Sequence, residues 1–276
     1  MITFPNAKIN LGLNIVSKRS DGYHNLETVF YPIFIEDALE IIPCATAYKE
    51  TPKFEITGNK IEGKPEDNLV MKALNLMKEE YPQIPDINIY LHKHIPSEAG
   101  LGGGSSDGAF MLRLLNETFE LGATEEQLLM KAAKLGADCP FFIKNAPAYA
   151  EGIGDVLTPL DLSLKGKYIL LVKPDLSIST KEAFANIKPH TPTLSATDIC
   201  SRPIEEWKSL LKNDFEDSIF PQHPKLKEIK EQIYSTGATY AAMSGSGSTI
   251  YGIFEEPIGK DITSQFNEKF VWSGRM

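Results

Sequence analysis

With 276 residues, the chain is long enough for one large domain or two compact ones with a proper core. Its 28 Lys and Arg against 37 Asp and Glu leave a net charge of −9, which argues against a nucleic-acid backbone or an anionic membrane as the main partner. Three dispersed cysteines (Cys44, Cys139, Cys200) suggest neither a disulfide framework nor a zinc site. With no leader pattern and no apolar run near the roughly 18 residues of a membrane span, a cytoplasmic protein with reduced thiols is expected.

Taken in chain order, residues 7–16 alternate, with Ile9, Leu11, Leu13 and Ile15 on one side and Lys8 and Asn10 on the other, which predicts a strand. A polar turn at 18–23 precedes a second strand over 26–34. Asn68 is placed to cap a helix carrying Val70, Ala73, Leu74 and Met77 on one face. Ile87, Ile89 and Leu91 read as a strand, and Ala109, Leu112, Leu115 and Phe119 as the buried face of a helix. Thr124-Glu125-Glu126-Gln127 matches a capping box. The composition turns loop-like around 159–166, the expected domain boundary, dividing the chain into 1–160 and 161–276. Beyond it, strands are predicted at 168–172 and 250–254, loops at 188–193 and 201–203, a helix at 204–211 and another around Leu226, Ile229 and Ile233.

The stretch Pro96-Ser97-Glu98-Ala99-Gly100-Leu101-Gly102-Gly103-Gly104-Ser105-Ser106-Asp107 puts four glycines in five positions between the strand and the helix. Glycines admit a ligand close to the backbone, and a helix start offers unpaired N–H groups and partial positive charge, so this context suits a phosphate. Ser105, Ser106 and Asp107 are good N-cap types, and Ser or Asp oxygens can also reach a metal. It is not a P-loop, which ends in Gly-Lys-Ser/Thr, nor a dinucleotide fingerprint, which needs Gly or Ala where Ser105 stands. A tight structural loop is the plainer alternative. Two further segments have ligand-binding character. One is Lys8 with Asn10, alternatively a solvated strand face. The other is the glycine–serine loop Ser244-Gly245-Ser246-Gly247-Ser248, alternatively a simple turn. Asp138 in Gly136-Ala137-Asp138-Cys139-Pro140 is either a local backbone acceptor or a general base.

Together these pieces resemble the galactokinase, homoserine kinase, mevalonate kinase and phosphomevalonate kinase (GHMP) superfamily. The matching motifs are Ala7-Lys8-Ile9-Asn10-Leu11, Pro96 to Ser106 and Met243 to Thr249. The triple glycine and the segment Asp21-Gly22-Tyr23-His24 are similar to the branch that phosphorylates 4-diphosphocytidyl-2-C-methyl-D-erythritol on the way to isoprenoids. The resemblance implies an α+β fold of two lobes, an N-terminal ATP-binding domain and a C-terminal domain with the active site between them. It also implies ATP as phosphoryl donor, with Mg2+ and Ser106 as a metal contact. Lys8 and Asp138 would be catalytic, and Pro96, Ser97, Glu98, Ala99, Gly100, Leu101, Gly102, Gly103, Gly104, Ser105 and Ser106 would bind ATP. Asn10, Tyr23, His24 and Phe184 would bind the substrate, with Tyr23 and Phe184 on the two faces of cytosine. A kinase of homoserine or mevalonate, a non-catalytic nucleotide sensor and, more remotely, a dinucleotide oxidoreductase remain the alternatives.

Overall fold

The computed structural model describes residues 1–44, 51–61 and 63–276. Three four-stranded sheets form among the described residues. The chain falls into two compact units that are not consecutive in sequence: Met1–Ala7, Ile35–Ser97 and Gly102–Asn145 make one; Lys8–Phe34, Glu98–Leu101 and Ala146–Met276 make the other.

In the first unit, β1 (Ile2–Thr3), β4 (Ala38–Pro43), β6 (Ile87–Lys93) and β5 (Phe54–Gly58) form a sheet in that order. Pairing is antiparallel except β5 with β6, which run parallel. Four helices accompany it: α1 (Leu69–Glu80), α2 (Gly103–Thr118), α3 (Glu125–Leu135) and α4 (Cys139–Lys144). The expected caps are present. Asn68 accepts from Val70 N at 2.9 Å, and Thr124 and Gln127 close a reciprocal capping box. The predicted helical faces are the buried ones: Val70, Ala73, Leu74 and Met77 on α1, and Ala109, Leu112 and Leu115 on α2.

The second unit holds two sheets. The first contains β2 (Asn6–Lys18), β3 (His24–Glu36), β7 (Ala148–Glu151) and β8 (Val156–Pro159), in that order; the ends of β2 and β3 run into the first unit. The other is fully antiparallel in the order β10 (Tyr240–Met243), β11 (Ile250–Phe254), β9 (Tyr168–Lys173), β12 (Phe270–Arg275). The helices α5 (Thr180–Phe184), α6 (Ala196–Cys200), α7 (Ile204–Leu210), α8 (Asp214–Ile219), α9 (Pro224–Ser235) and α10 (Lys260–Thr263) complete it. Leu226, Ile229 and Ile233 of α9 enter a core with Leu170, Val172, Ala241, Ile250 and Phe215. No helix among the described residues is long and apolar enough to cross a membrane.

Two expectations need correction. The polar side of β2 is not solvated: Lys8 and Asn10 are 4% and 2% exposed, so that alternative is gone. Nor do Ser105, Ser106 or Asp107 cap α2. The helix starts two residues earlier, at Gly103, with left-handed Gly102 in the cap position and no side-chain cap. Asp107 turns inward instead, because a cation waits there. Lys93, at an inward position of β6, is bonded to Asp107 Oδ2 at 2.6 Å and to Asp37, and Asp37 Oδ1 accepts from His94 N and Ile95 N at 2.6 and 2.8 Å. Burial opposes the Lys93 charge, but the two carboxylates outweigh it and raise its pKa. Burial holds the Asp107 carboxyl well above the usual range despite Lys93, and Asp37 adds to the rise. This buried triad clamps the strand that enters the glycine loop to the helix that leaves it. Replacing Lys93 by Met strands two buried carboxylates and should cost about 3–5 kcal/mol of stability, measured by urea denaturation. An unchanged unfolding midpoint would show that the clamp contributes nothing.

Candidate active site

The glycine loop is defined by its backbone. Glu98, Gly100 and Gly102 have φ of 49°, 72° and 70°, so every second residue is left-handed. At Gly100, a Cβ would lie 1.9 Å from the Ser244 carbonyl oxygen, so only glycine fits there. Gly104 faces open space. The first turn of α2 therefore carries the amides of Gly103, Gly104 and Ser105 without a side-chain cap, the arrangement that anion binding uses. Ser106 N closes the first intrahelical bond, to Gly102 O at 2.9 Å. Pro96 is half-buried, Ser97 and Glu98 are exposed, and Ala99 and Leu101 are buried anchors. Ser106 Oγ is buried without a hydrogen-bond partner.

In the second unit, the Lys8 and Glu98–Leu101 segments meet the glycine–serine loop. Lys8 N donates to Leu101 O at 2.9 Å. The Lys8 ammonium donates to Asn10 Oδ1 at 2.6 Å and lies 4.7 Å from the centre of the Phe30 ring. Asn10 Nδ2 donates to Thr28 Oγ1 at 3.1 Å, so the amide is oriented with its oxygen toward the lysine. Ser244 Oγ donates to Gly100 O at 2.7 Å and accepts from Asn10 N at 3.4 Å. The first and third predicted motifs thus converge on one backbone segment of the second.

The Asp21-Gly22-Tyr23-His24 turn is braced by its own side chains. Arg19 pairs with Asp21 at 2.7 Å, and Asp21 Oδ1 accepts from Tyr23 N at 3.1 Å. Gly22 supplies a φ of 89°, and Tyr23 is left 62% exposed. His24 lies stacked on Phe184 with ring centroids 4.8 Å apart and 18° between planes, and Phe184 meets Phe215 edge-on at 4.9 Å. Two predicted substrate contacts are therefore neighbours. Asp138 stands half-buried in the first unit, immediately before α4, and its carboxylate does not cap that helix.

Sequence reasoning missed Lys93, Asp37 and Asn213. The signal for Lys93 was available: it continues the inward row of Ile87, Ile89 and Leu91 with a charged residue. Asn213 caps α8 and binds the glycine–serine loop, and nothing local marks it. No group of three or more His, Cys, Asp or Glu able to hold a metal assembles among the described residues.

Comparison with known proteins places these features. The family models for the N-terminal and C-terminal domains of GHMP kinases match residues 68–145 and 195–271. Over 100% of both chains the sequence is 58% identical to the 4-diphosphocytidyl-2-C-methyl-D-erythritol kinase of Bacteroides thetaiotaomicron. A crystal structure of 4-(cytidine 5'-diphospho)-2C-methyl-D-erythritol kinase superposes with a TM-score of 0.82 at 30% identity, covering 99% of this chain and 98% of that one. Methanococcus jannaschii mevalonate kinase shares the fold at 14% identity, with a TM-score of 0.70 over 100% of this chain and 98% of its own. The chain belongs to the GHMP kinases and, within them, to the 4-diphosphocytidyl-2-C-methyl-D-erythritol kinase family.

Proposed function

We propose that the protein is a cytoplasmic kinase that transfers the γ-phosphoryl group of ATP to the 2-hydroxyl of 4-diphosphocytidyl-2-C-methyl-D-erythritol, toward isoprenoid precursors. One observation carries the phosphoryl-transfer reading: the uncapped first turn of α2, reached through left-handed glycines and open above Gly104. Its amides and the positive end of the helix suit the ATP phosphates, with residues 96–106 as the cradle. Ser106 Oγ, buried and without a hydrogen-bond partner, is the residue that would hold Mg2+ beside the phosphates. Bound there, Mg2+ would neutralise charge on the phosphates. A division near residue 160, separating an ATP-binding N-terminal domain from a C-terminal domain, belongs to the same reading.

Phosphoryl transfer passes through a loose transition state, so positioning and charge stabilisation dominate. In this reading Asp138 accepts the hydroxyl proton or anchors it electrostatically, and Lys8, oriented by Asn10, offsets charge on the transferring group. Tyr23 and Phe184 take the faces of cytosine, and His24 takes its edge. Rings stacked at 4.8 Å leave no slot between them for a base. Cytosine taking the face of Phe184 that His24 covers would displace His24 from the stack.

The test is ADP release from ATP and Mg2+ with the cytidine alcohol, mevalonate and homoserine in parallel. Turnover with the cytidine compound alone is expected, and turnover only with another alcohol would overturn the substrate assignment. Asp138→Asn and Lys8→Ala should retain the fold and ATP binding while losing about 10²–10⁴ in turnover; near-normal rates would remove them from the chemistry. Tyr23→Ala should raise KM for the cytidine alcohol about tenfold, since stacking on one base is worth roughly that much, and leave KM for ATP unchanged. The reverse pattern would refute the stacking role.

A further inference from the structure

We propose that Asn213 is a positioning residue for phosphoryl transfer: its carboxamide sets the glycine–serine loop against Gly100 and Asn10. The inference rests on the kinase reading above and adds a residue to it. Asn213 is 2% exposed and directly precedes α8. Its Oδ1 accepts from Phe215 N at 3.0 Å, an ordinary helix cap. Capping explains that bond alone. The Nδ2 group, which capping does not need, donates to Met243 O and to Gly245 O, each at 2.8 Å. These carbonyls lie in the 243–244 and 245–246 peptide planes, so the amide ties the chain entering Ser244 to the chain leaving Gly245.

Ser244 transmits the restraint. Its hydroxyl donates to Gly100 O at 2.7 Å and accepts from Asn10 N at 3.4 Å. The loop is closed by Ser244 N to Thr249 O at 2.9 Å and Gly247 N to Ser244 O at 3.0 Å, with Gly245 and Gly247 at φ of 54° and 90°, and Asn213 adds a hold from outside it. The same turn of α8 supplies more. Asp214 Oδ2 accepts from Ile15 N at 2.7 Å, and Glu216 Oε1 accepts from Met243 N at 2.8 Å. Asn213 itself is fastened to β2, where Leu13 N donates to Lys212 O at 2.8 Å and Leu13 bridges Asn213. Only a primary amide at this reach offers one acceptor and two donors: aspartate lacks the donors and serine is too short.

Asn213→Ser separates the two roles, because serine caps helices about as well but cannot reach the loop. Thermal melting should shift by no more than a few degrees. ATP affinity, titrated directly, should fall about tenfold, KM for ATP should rise in step, and kcat should fall. Unchanged ATP affinity and kcat in the folded variant would overturn the proposal, as would a loss of melting temperature with kcat per folded molecule intact. Asn213→Thr, which also caps a helix without reaching the loop, carries the same test where the serine variant is not recovered folded. Because Asn213 acts through Ser244, pairing its variant with Ser244→Ala should lose no more ATP affinity than the worse single change; additive losses would refute the route. ATP binding by the wild type without turnover of the cytidine alcohol would sink the substrate assignment, while the ATP titrations would still decide the role of Asn213.

Discussion

The structure depends on a backbone constraint: residues 98–102 must take a left-handed step at every second position. For an L residue, each such step costs roughly 1–2 kcal/mol, and Gly100 and Gly102 avoid that cost. Gly100 has a second reason to be glycine, the Ser244 carbonyl where its Cβ would be. The result is a 16-residue helix that begins on a residue unable to cap it. Glycine at the cap in place of Ser or Asp costs only about a few tenths of a kcal/mol, and it leaves the first-turn amides without a side-chain partner. Phe110, Met111, Leu112, Leu114 and Leu115, buried on α2, offset that cost many times over.

Two buried lysines, Lys93 on β6 and Lys8 on β2, are each held by side chains of their own unit. Lys93 is balanced by two carboxylates, so its charge is already committed to holding the loop's two ends. Lys8 donates to the oxygen of the Asn10 amide at 2.6 Å, a bond that orients its ammonium. Burial of both on strands, where χ angles are confined by packing, gives each a fixed direction.

The parts of this arrangement that local rules govern were legible in the sequence. Asn68, the Thr124–Gln127 box and the faces of α1, α2 and α9 follow from capping chemistry and the helical period, and all are present. Family membership was legible for the same reason, because glycine and serine loops advertise backbone geometry. What failed was anything decided by a distant partner. Ser105, Ser106 and Asp107 have capping side chains, yet Asp107 turns inward to Lys93, 14 residues earlier, which is in turn bonded to Asp37. Helices of five or six residues, such as α5, α6 and α8, are too short to display a period. The closing strand Phe270–Arg275 draws its definition from pairing with β9.

Glycine loops pose a general difficulty that this protein resolves by division of labour. Removing side chains opens the backbone to a ligand and also removes the contacts that would hold it still. Here the rigidity comes from elsewhere. The Lys93 triad braces the chain on either side of the first loop, and the first turn of α8 takes hold of carbonyls and amides around the second. Because hydrogen bonds to backbone atoms do not depend on the loop residue's side chain, the loop can remain glycine and serine throughout. The hold on glycine loops of this kind thus resides in buried amides and carboxylates outside them, and those residues are the ones a motif does not show.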